Sequence, residues 1–420
     1  MKSRALPRIA AATFALATIS TLSASTEGDN LIGIGTVSRS LGGNDIAAPQ
    51  DAIGAIAQNP AALSFLPGNP TSEAEFSLTL FVPHTSASVD GLKGDSAAKT
   101  YPIPAFGYSG QLGGKGSPWE FGIAAYGATG LGVDYRNSPL NSNLGPTPYP
   151  LVAAPYTQLE VLEVAPSFAY KVSPEWSIGL AVDIDYGLLN LGNGVKTGLG
   201  AGVEPAVEYR PGGEPFSFGA SYTSVKPITY KAVVDLDGNG LDNLELETPQ
   251  QFAFGGAYEL IPGRLLALAD LKWVNWNGAV GYKDFAWRNA WIYGFGLQFE
   301  AIPKTLVLRA GYTFGENPVT AHNNFVGAGS PANVTEVQGK FVNNYYYETF
   351  RIVGFPAIVE NHLALGFSYT LGTQASLDVG YTHAFGNSLS EQGTNLLGAP
   401  TTLATHLSED SCEIGVTWRF

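Results

Sequence analysis

Trp176-Ser-Ile-Gly-Leu-Ala-Val-Asp-Ile-Asp185 alternates without a break. Trp176, Ile178, Leu180, Val182 and Ile184 share one face of an extended chain; Ser177, Gly179, Ala181, Asp183 and Asp185 share the other. Successive side chains of a β-strand point to opposite faces, so this is a strand with two chemically different sides. The second side decides the architecture. Small residues and acids suit a lumen, whereas Leu, Val, Ile and Trp suit lipid. The expectation is a strand of a transmembrane β-barrel.

The same pattern recurs on both sides of this stretch. Phe76, Leu78, Leu80 and Val82 oppose Ser77 and Thr79; Trp119, Phe121, Ile123 and Ala125 oppose Glu120, Gly122 and Ala124. Trp291, Tyr293, Phe295, Leu297 and Phe299 oppose Ile292, Gly294, Gly296, Gln298 and Glu300, and Leu363, Leu365, Phe367 and Tyr369 oppose Ala364, Gly366, Ser368 and Thr370. Trp119, Trp176, Tyr186, Trp291 and Tyr369 stand at the ends of apolar faces, where interfacial aromatics belong. A large soluble β-protein is the other reading of such alternation.

The breaks between strands alternate in length. Short ones are Gly113–Ser117, Ser173–Glu175, Gly212–Pro215, Pro262–Gly263, Pro303–Lys304 and Gly372–Gln374. Long ones are Asp90–Lys99, Asp134–Thr157, Leu191–Gly200, Asp235–Asn243, Gly278–Phe285, Thr320–Asn361 and Ser388–Ser408. Short periplasmic turns and long outer loops are the barrel arrangement, and the spacing predicts about fourteen strands. The last of them runs to the C-terminus, with Cys412, Ile414, Val416, Trp418 and Phe420 on one face.

Composition agrees. Charged residues are only 14%, aromatics 12%, and there are 51 Gly; mean hydropathy is +0.06. A barrel spans a membrane without a long apolar run because only alternate residues meet lipid. A net charge of −14 argues against a nucleic-acid partner, which would want a basic patch. Cys412 is the only cysteine, so no intrachain disulfide forms, and it is expected on the lipid side or outer rim. His84, His322, His362, His383 and His406 show no metal-ligand spacing, and neither G-x-S-x-G nor a phosphate loop is present. No enzyme activity and no cofactor are expected.

Residues 1–25 read as a secretory signal, with Lys2, Arg4 and Arg8 before the apolar Ile9–Leu22 and the small Ser23-Ala24-Ser25. Residues 26–74 differ from everything after them. Gly33–Pro67 is apolar and small, carries only Arg39, Asp45 and Asp51 as charges, and centres on Asn59-Pro60-Ala61-Ala62-Leu63. It has neither the length of a membrane helix nor the alternation of a strand. The expected organisation is a signal over 1–25, a plug or hatch over 26–74, and a barrel over 75–420.

A Gly-rich N-terminal segment with an Asn-Pro-Ala turn, then alternating strands, then a C-terminal Phe, resembles the outer-membrane long-chain fatty acid and aromatic hydrocarbon transporters (the FadL and toluene-transporter family). The resemblance implies that Asn59, Pro60 and Ala61 lie inside the barrel beside an inward kink in the third strand. That strand, Trp119–Val133, carries Gly122, Gly127, Gly130 and Gly132; a strand Gly marks a bend or a close approach, or simply makes room in a crowded lumen. The kink would open the wall and let an apolar solute leave sideways. Leu63, Phe65, Tyr126, Leu188 and Lys196 are the candidates for substrate contact, and Trp418 and Phe420 resemble the signal read by barrel-assembly machinery. In fatty acid carriers of the family, bases near the outer end of the fifth strand help hold the carboxylate. Here Tyr186–Gly194 has none, and Lys196 is the nearest. That shifts the expectation toward uncharged molecules.

Glu163, Asp183, Asp185, Glu204, Glu208, Asp270, Glu300, Asp378 and Glu413 are placed on lumen faces, with Arg210, Lys272, Arg309 and Arg419 to pair some of them. Asp235-Leu-Asp237-Gly-Asn239-Gly240-Leu-Asp242 resembles the front of a calcium loop, but the position for its Glu is Leu246; it reads as a solvated tip or a weak cation site. The expected protein is a monomeric outer-membrane barrel, contacting membrane lipid and lipopolysaccharide, that passively admits hydrophobic small molecules. A polar-solute porin and a non-transporting surface-interaction barrel are the other readings.

Overall fold

The computed structural model of the chain describes residues 28–68, 70–329 and 332–420. The expected signal lies outside the described residues. Fourteen long strands pair antiparallel in chain order, and the last returns to the first. They are β1 (Ser72–Val89), β2 (Tyr101–Gln111), β3 (Trp119–Asp134), β4 (Tyr156–Lys171), β5 (Trp176–Asn190), β6 (Lys196–Tyr209), β7 (Phe216–Thr223), β8 (Gln251–Ile261), β9 (Leu265–Val274), β10 (Ala290–Ile302), β11 (Leu306–Gly315), β12 (Asn361–Leu371), β13 (Ala375–Thr394) and β14 (Pro400–Arg419). β1 meets β14 from Glu73↔Arg419 to Val89↔Leu403, and Arg419 Nε donates to Glu73 Oε2 at 2.6 Å across that seam. Closure removes the free sheet edges that an open sheet of this length would expose.

The alternation sorts as the sequence suggests. On β5, Ile178, Leu180, Val182 and Ile184 are exposed on the outer surface, while Ser177, Ala181, Asp183 and Asp185 are buried. Aromatic rings touch from strand to strand in two belts. One, near the short turns, contains Trp119–Tyr170 and Trp176–Tyr209; the other, near the long loops, contains Tyr222–Phe252, Phe252–Trp273 and Tyr293–Phe314. Trp176 and Tyr186 are ten residues apart. At ~3.3 Å per residue and a tilt of about 40°, that spans about 25 Å along the barrel axis, the height of an outer-membrane apolar band.

Three boundaries differ from the sequence reading. β1 begins at Ser72 rather than 75, because Glu73 and Glu75 already alternate inward. The stretch 388–408 is mostly strand, since β13 and β14 continue past the band to Thr394 and Pro400. The residues between β7 and β8 form a hairpin, Lys226–Val234 with Asp242–Thr248, off the barrel sheet. It lies against the inner face of β6: Cβ atoms at Gly198 and Gly200 would come within 2.6 and 2.8 Å of Ile228 side-chain carbons.

Residues 28–68 fill the space inside. Helix α1 (Thr36–Ser40), helix α2 (Ala52–Gln58) and a 3-10 turn (Pro60–Phe65) are almost wholly buried. Asp51 caps α2 by accepting from the Gly54 amide at 2.7 Å, which satisfies one of the helix's free N–H groups. The wall gives way to this segment through glycine. A Cβ at Gly311 would stand 2.1 Å from the Leu41 carbonyl, and one at Gly179 2.2 Å from the Ala61 nitrogen. Gly107, Gly255, Gly294, Gly366 and Gly415 repeat the arrangement on other strands. At the outer end, helix α3 (Asn344–Thr349) runs into a π-helical turn, Phe350–Gly354, and both are largely buried.

Candidate functional site

Two neighbouring pairs in the wall part early: β6 and β7, which pair only from Ala206↔Ser221 to Tyr209↔Phe218, and β2 and β3. β2 and β3 pair only from Gln111↔Glu120 to Ala105↔Tyr126. Beyond that point Tyr101–Pro104 of β2 still pairs with β1, and Thr129–Asp134 of β3 still pairs with β4, but the two edges no longer pair with each other. The β3–β4 register slips between Gly127 and Thr129, a bulge with Ala128 as the extra residue. A bulge bends its strand and increases local twist. On the other edge, Pro102 and Pro104 lack the N–H a ladder needs, a residue type confined to strand edges.

The freed edge of β3 is taken up by the N-terminal segment. The Gly130 amide donates to the Asp29 carbonyl at 3.1 Å, the Leu31 amide to the Ala128 carbonyl at 3.2 Å, and Asn30 bridges Thr129. Asp29 is itself buried. Its carboxylate accepts from Tyr282 Oη at 2.5 Å, and burial pushes its pKa up to about 7.

Between the two edges lies a cavity of about 380 Å³. Ile103, Leu159 and Val161, which face inward, line it together with Pro102, Pro104, Leu162 and Leu188, which face outward. Because both faces of the sheet contribute, the cavity crosses the wall. Gly130 borders it, and a Cβ there would meet nothing nearer than the Leu159 carbonyl at 4.0 Å. A second cavity, of about 450 Å³ at the short-turn end, is lined by Arg210, Arg309, Arg419, Glu259 and Asp378 among others. Buried Ile34, Ile53, Ile56 and Leu63 belong to the N-terminal segment that fills the lumen.

The kink is anchored by charge. Tyr126, the last β3 residue paired with β2, donates from Oη to Glu163 Oε1 at 2.5 Å. The other oxygen of Glu163 holds the ammonium of Lys226, which also lies 3.6 Å from Asp185 and 3.9 Å from Asp183. Three adjacent acids of β4 and β5 thus converge on one cation from the internal hairpin. Lys226 is not among the bases expected in the lumen, although it lies outside the expected loop Asp235–Asn243. Arg39 is a second lumen cation that alternation does not reveal: its Nε donates to Glu413 at 2.8 Å.

Of the expected substrate contacts, only Leu188 lines the wall cavity. Leu63 packs under Gly122, Phe65 lies beneath Lys171 and Arg210 at 4.4 and 5.4 Å, Tyr126 faces Glu163, and Lys196 pairs with Leu189 at the start of β6. The four glycines also separate. Gly127 and Gly130 border the opening, and Gly132 borders it while backing onto the Thr157 carbonyl; Gly122 lies below it and admits Ile56. Asn59 is fully buried, but beside β6 rather than the kink: its Nδ2 donates to Glu208 Oε2 at 2.9 Å and to the Ile46 carbonyl, and its Oδ1 accepts from the Ala61 amide. Trp418 and Phe420 are exposed on the outer face, as is Cys412.

The calcium-like loop is occupied by a side chain. Lys340 Nζ lies 3.0 Å from Asp237 and 2.8 Å from Asp242. Ser388 Oγ and His406 Nδ1 lie 2.9 Å apart on the outer rim, a pair the sequence did not suggest, away from the cavity.

The family described as "Outer membrane protein transport protein (OMPP1/FadL/TodX)" matches residues 14–255. Among curated proteins none matches by sequence. Solved structures do. The Pseudomonas putida toluene transporter TodX is 16% identical, with a TM-score of 0.66 over 93% of this chain and 99% of its own. A Pseudomonas aeruginosa FadL homologue is 13% identical, with a TM-score of 0.67 over 94% of this chain and 100% of its own. The Ralstonia pickettii toluene transporter TbuX is 19% identical, with a TM-score of 0.62 over 93% of this chain and 99% of its own.

Proposed function

Since the chain belongs to the FadL/TodX family of outer-membrane transport proteins, we propose that it admits hydrophobic small molecules and releases them sideways, through the β2–β3 cavity, into the outer leaflet. The observation that carries this reading is that inward and outward residues line one apolar cavity in the wall. Transfer of apolar surface out of water supplies the driving force, at about 25 cal/mol per Å². No cofactor enters, and transport is passive.

The N-terminal segment acts as the hatch. It fills the lumen below the cavity, so a solute entering from outside is turned toward the wall, and the freed β3 edge is kept from closing by its pairing with residues 29–31. The route begins among the outer loops, where Tyr282, Phe285, Trp287, Phe350 and Phe355 line a smaller apolar cavity that shares Leu159 with the wall cavity. A polar-solute porin needs a wet path from end to end, and buried Ile34, Ile53 and Ile56 stand across it.

Two measurements test the reading together. Cells with an intact lipopolysaccharide layer should take up a hydrophobic carbon source faster with the protein than without it, and the purified protein in planar bilayers should conduct almost no ions. Open-channel conductance would favour the porin; no gain in uptake would favour a surface-interaction barrel.

A further inference from the structure

The wall cavity is mostly apolar and carries one acid from each face of the wall. Glu160 lines it from the outward face of β4, and Glu409 from β14 on the inner side. Among the described residues that line it there is no Lys or Arg. Cations around it are engaged elsewhere: Arg136 with Asp134 at 2.7 Å, Arg39 with Glu413, Lys226 with Glu163, and Arg351, which lines the adjoining outer cavity, with Glu348 and Glu391 at 2.6 and 2.9 Å. His362, a weak base, stands 3.7 Å from Glu409. Gln158 donates to Glu160 at 2.7 Å.

A carboxylate entering this slot would leave water with no cation to receive it and would pass two groups of its own sign. Burying an unpaired charge is costly, and like-charge repulsion grows as the surroundings become less polar. An uncharged molecule meets neither obstacle. We propose that Glu160 and Glu409 make the passage a filter against carboxylates, so that its substrates are uncharged apolar molecules. This rests on the cavity being the exit route.

The test compares labelled laurate with labelled methyl laurate in cells producing the full chain, at about pH 7.5, where the acid is ionised. The ester should enter at least about tenfold faster than the acid, a gap of about 1.4 kcal/mol. The Glu160→Gln/Glu409→Gln variant should narrow that ratio to within about threefold by raising the rate for the acid. Glu160→Gln alone, at a partly exposed position, should narrow it part of the way. Equal entry of acid and ester in the parent protein overturns the filter, and so does an unchanged ratio in the double variant. If neither probe enters faster than in cells lacking the protein, the exit route itself fails and the filter with it.

Discussion

Gly130 offers the most direct test of the route. Its missing side chain borders the wall cavity, the space ahead of it is open to 4.0 Å, and its backbone does not adopt a left-handed conformation. An Ala Cβ fits there without displacing backbone, Leu and Trp would extend from it toward the cavity, and the amide hydrogen bond to Asp29 is kept. A single-ring solute buries about 150 Å², which at ~25 cal/mol per Å² is worth about 3.8 kcal/mol. If the indole of Gly130→Trp takes half of that contact, the passage loses about 1.9 kcal/mol, or ~25-fold in occupancy. Initial uptake should fall in the order Ala, Leu, Trp, with Ala close to the parent. Heat-modifiable migration on gels verifies that each barrel is assembled. A Trp variant that assembles at parental level and transports at parental rate would refute the wall route.

Three further outcomes are expected. Lys226→Met leaves Glu163, Asp183 and Asp185 without their shared cation; loss of one partner of a buried pair costs about 3–5 kcal/mol, so the barrel should unfold at lower temperature, and adding Glu163→Gln should restore part of the loss. Asp29 has its folded pKa raised to about 7 by burial, so its contribution is full below the unfolded value of about 3.9 and is lost as pH rises to 7; amide protection at Leu31 and Gly130, corrected for base-catalysed intrinsic exchange, should fall between about pH 4 and 7, and Asp29→Asn should flatten that fall. Deleting Phe420, which is exposed and whose backbone holds Thr71 and Ser72, should lower the amount of protein in outer-membrane fractions, and equal abundance would argue against an assembly signal there.

The barrel was legible because its rule is local. Lipid and lumen demand different side chains, so each strand records its own orientation, and short turns punctuate the series. The cavity was half legible. A glycine in β3 announces that something approaches closely or that nothing is there, and the residue alone does not say which: Gly122 admits Ile56, whereas Gly130 faces open space. Leu63 and Phe65 are apolar like a substrate site, but their height in the lumen depends on how the N-terminal segment winds, which no periodicity encodes. Lys226 had a faint signal. Ile228 and Tyr230 alternate behind it, and Gly198, Gly200 and Gly202 leave room on β6, but alternation does not tell an internal hairpin from a strand of the wall.

The glycines that receive residues 36–61 bear on how the protein is made. The groove they form is bare backbone, so close to its occupant that a single Cβ at Gly179, Gly294, Gly311 or Gly366 would clash with it. An empty groove would flood, leaving Leu41, Ile53 and Ile56 of the segment unburied at about 25 cal/mol per Å² of apolar surface, and Glu73, Glu75 and Glu208 without their Ala52, Ile53 and Asn59 donors. A finished cylinder that later takes in its filling is therefore a poor intermediate. The N-terminal segment, first to leave the ribosome, has to be held until the strands that follow wrap around it. The seam between β1 and β14 then shuts on a lumen already full, which makes the timing of that last closure, rather than the strength of any strand pair, the step on which correct assembly depends.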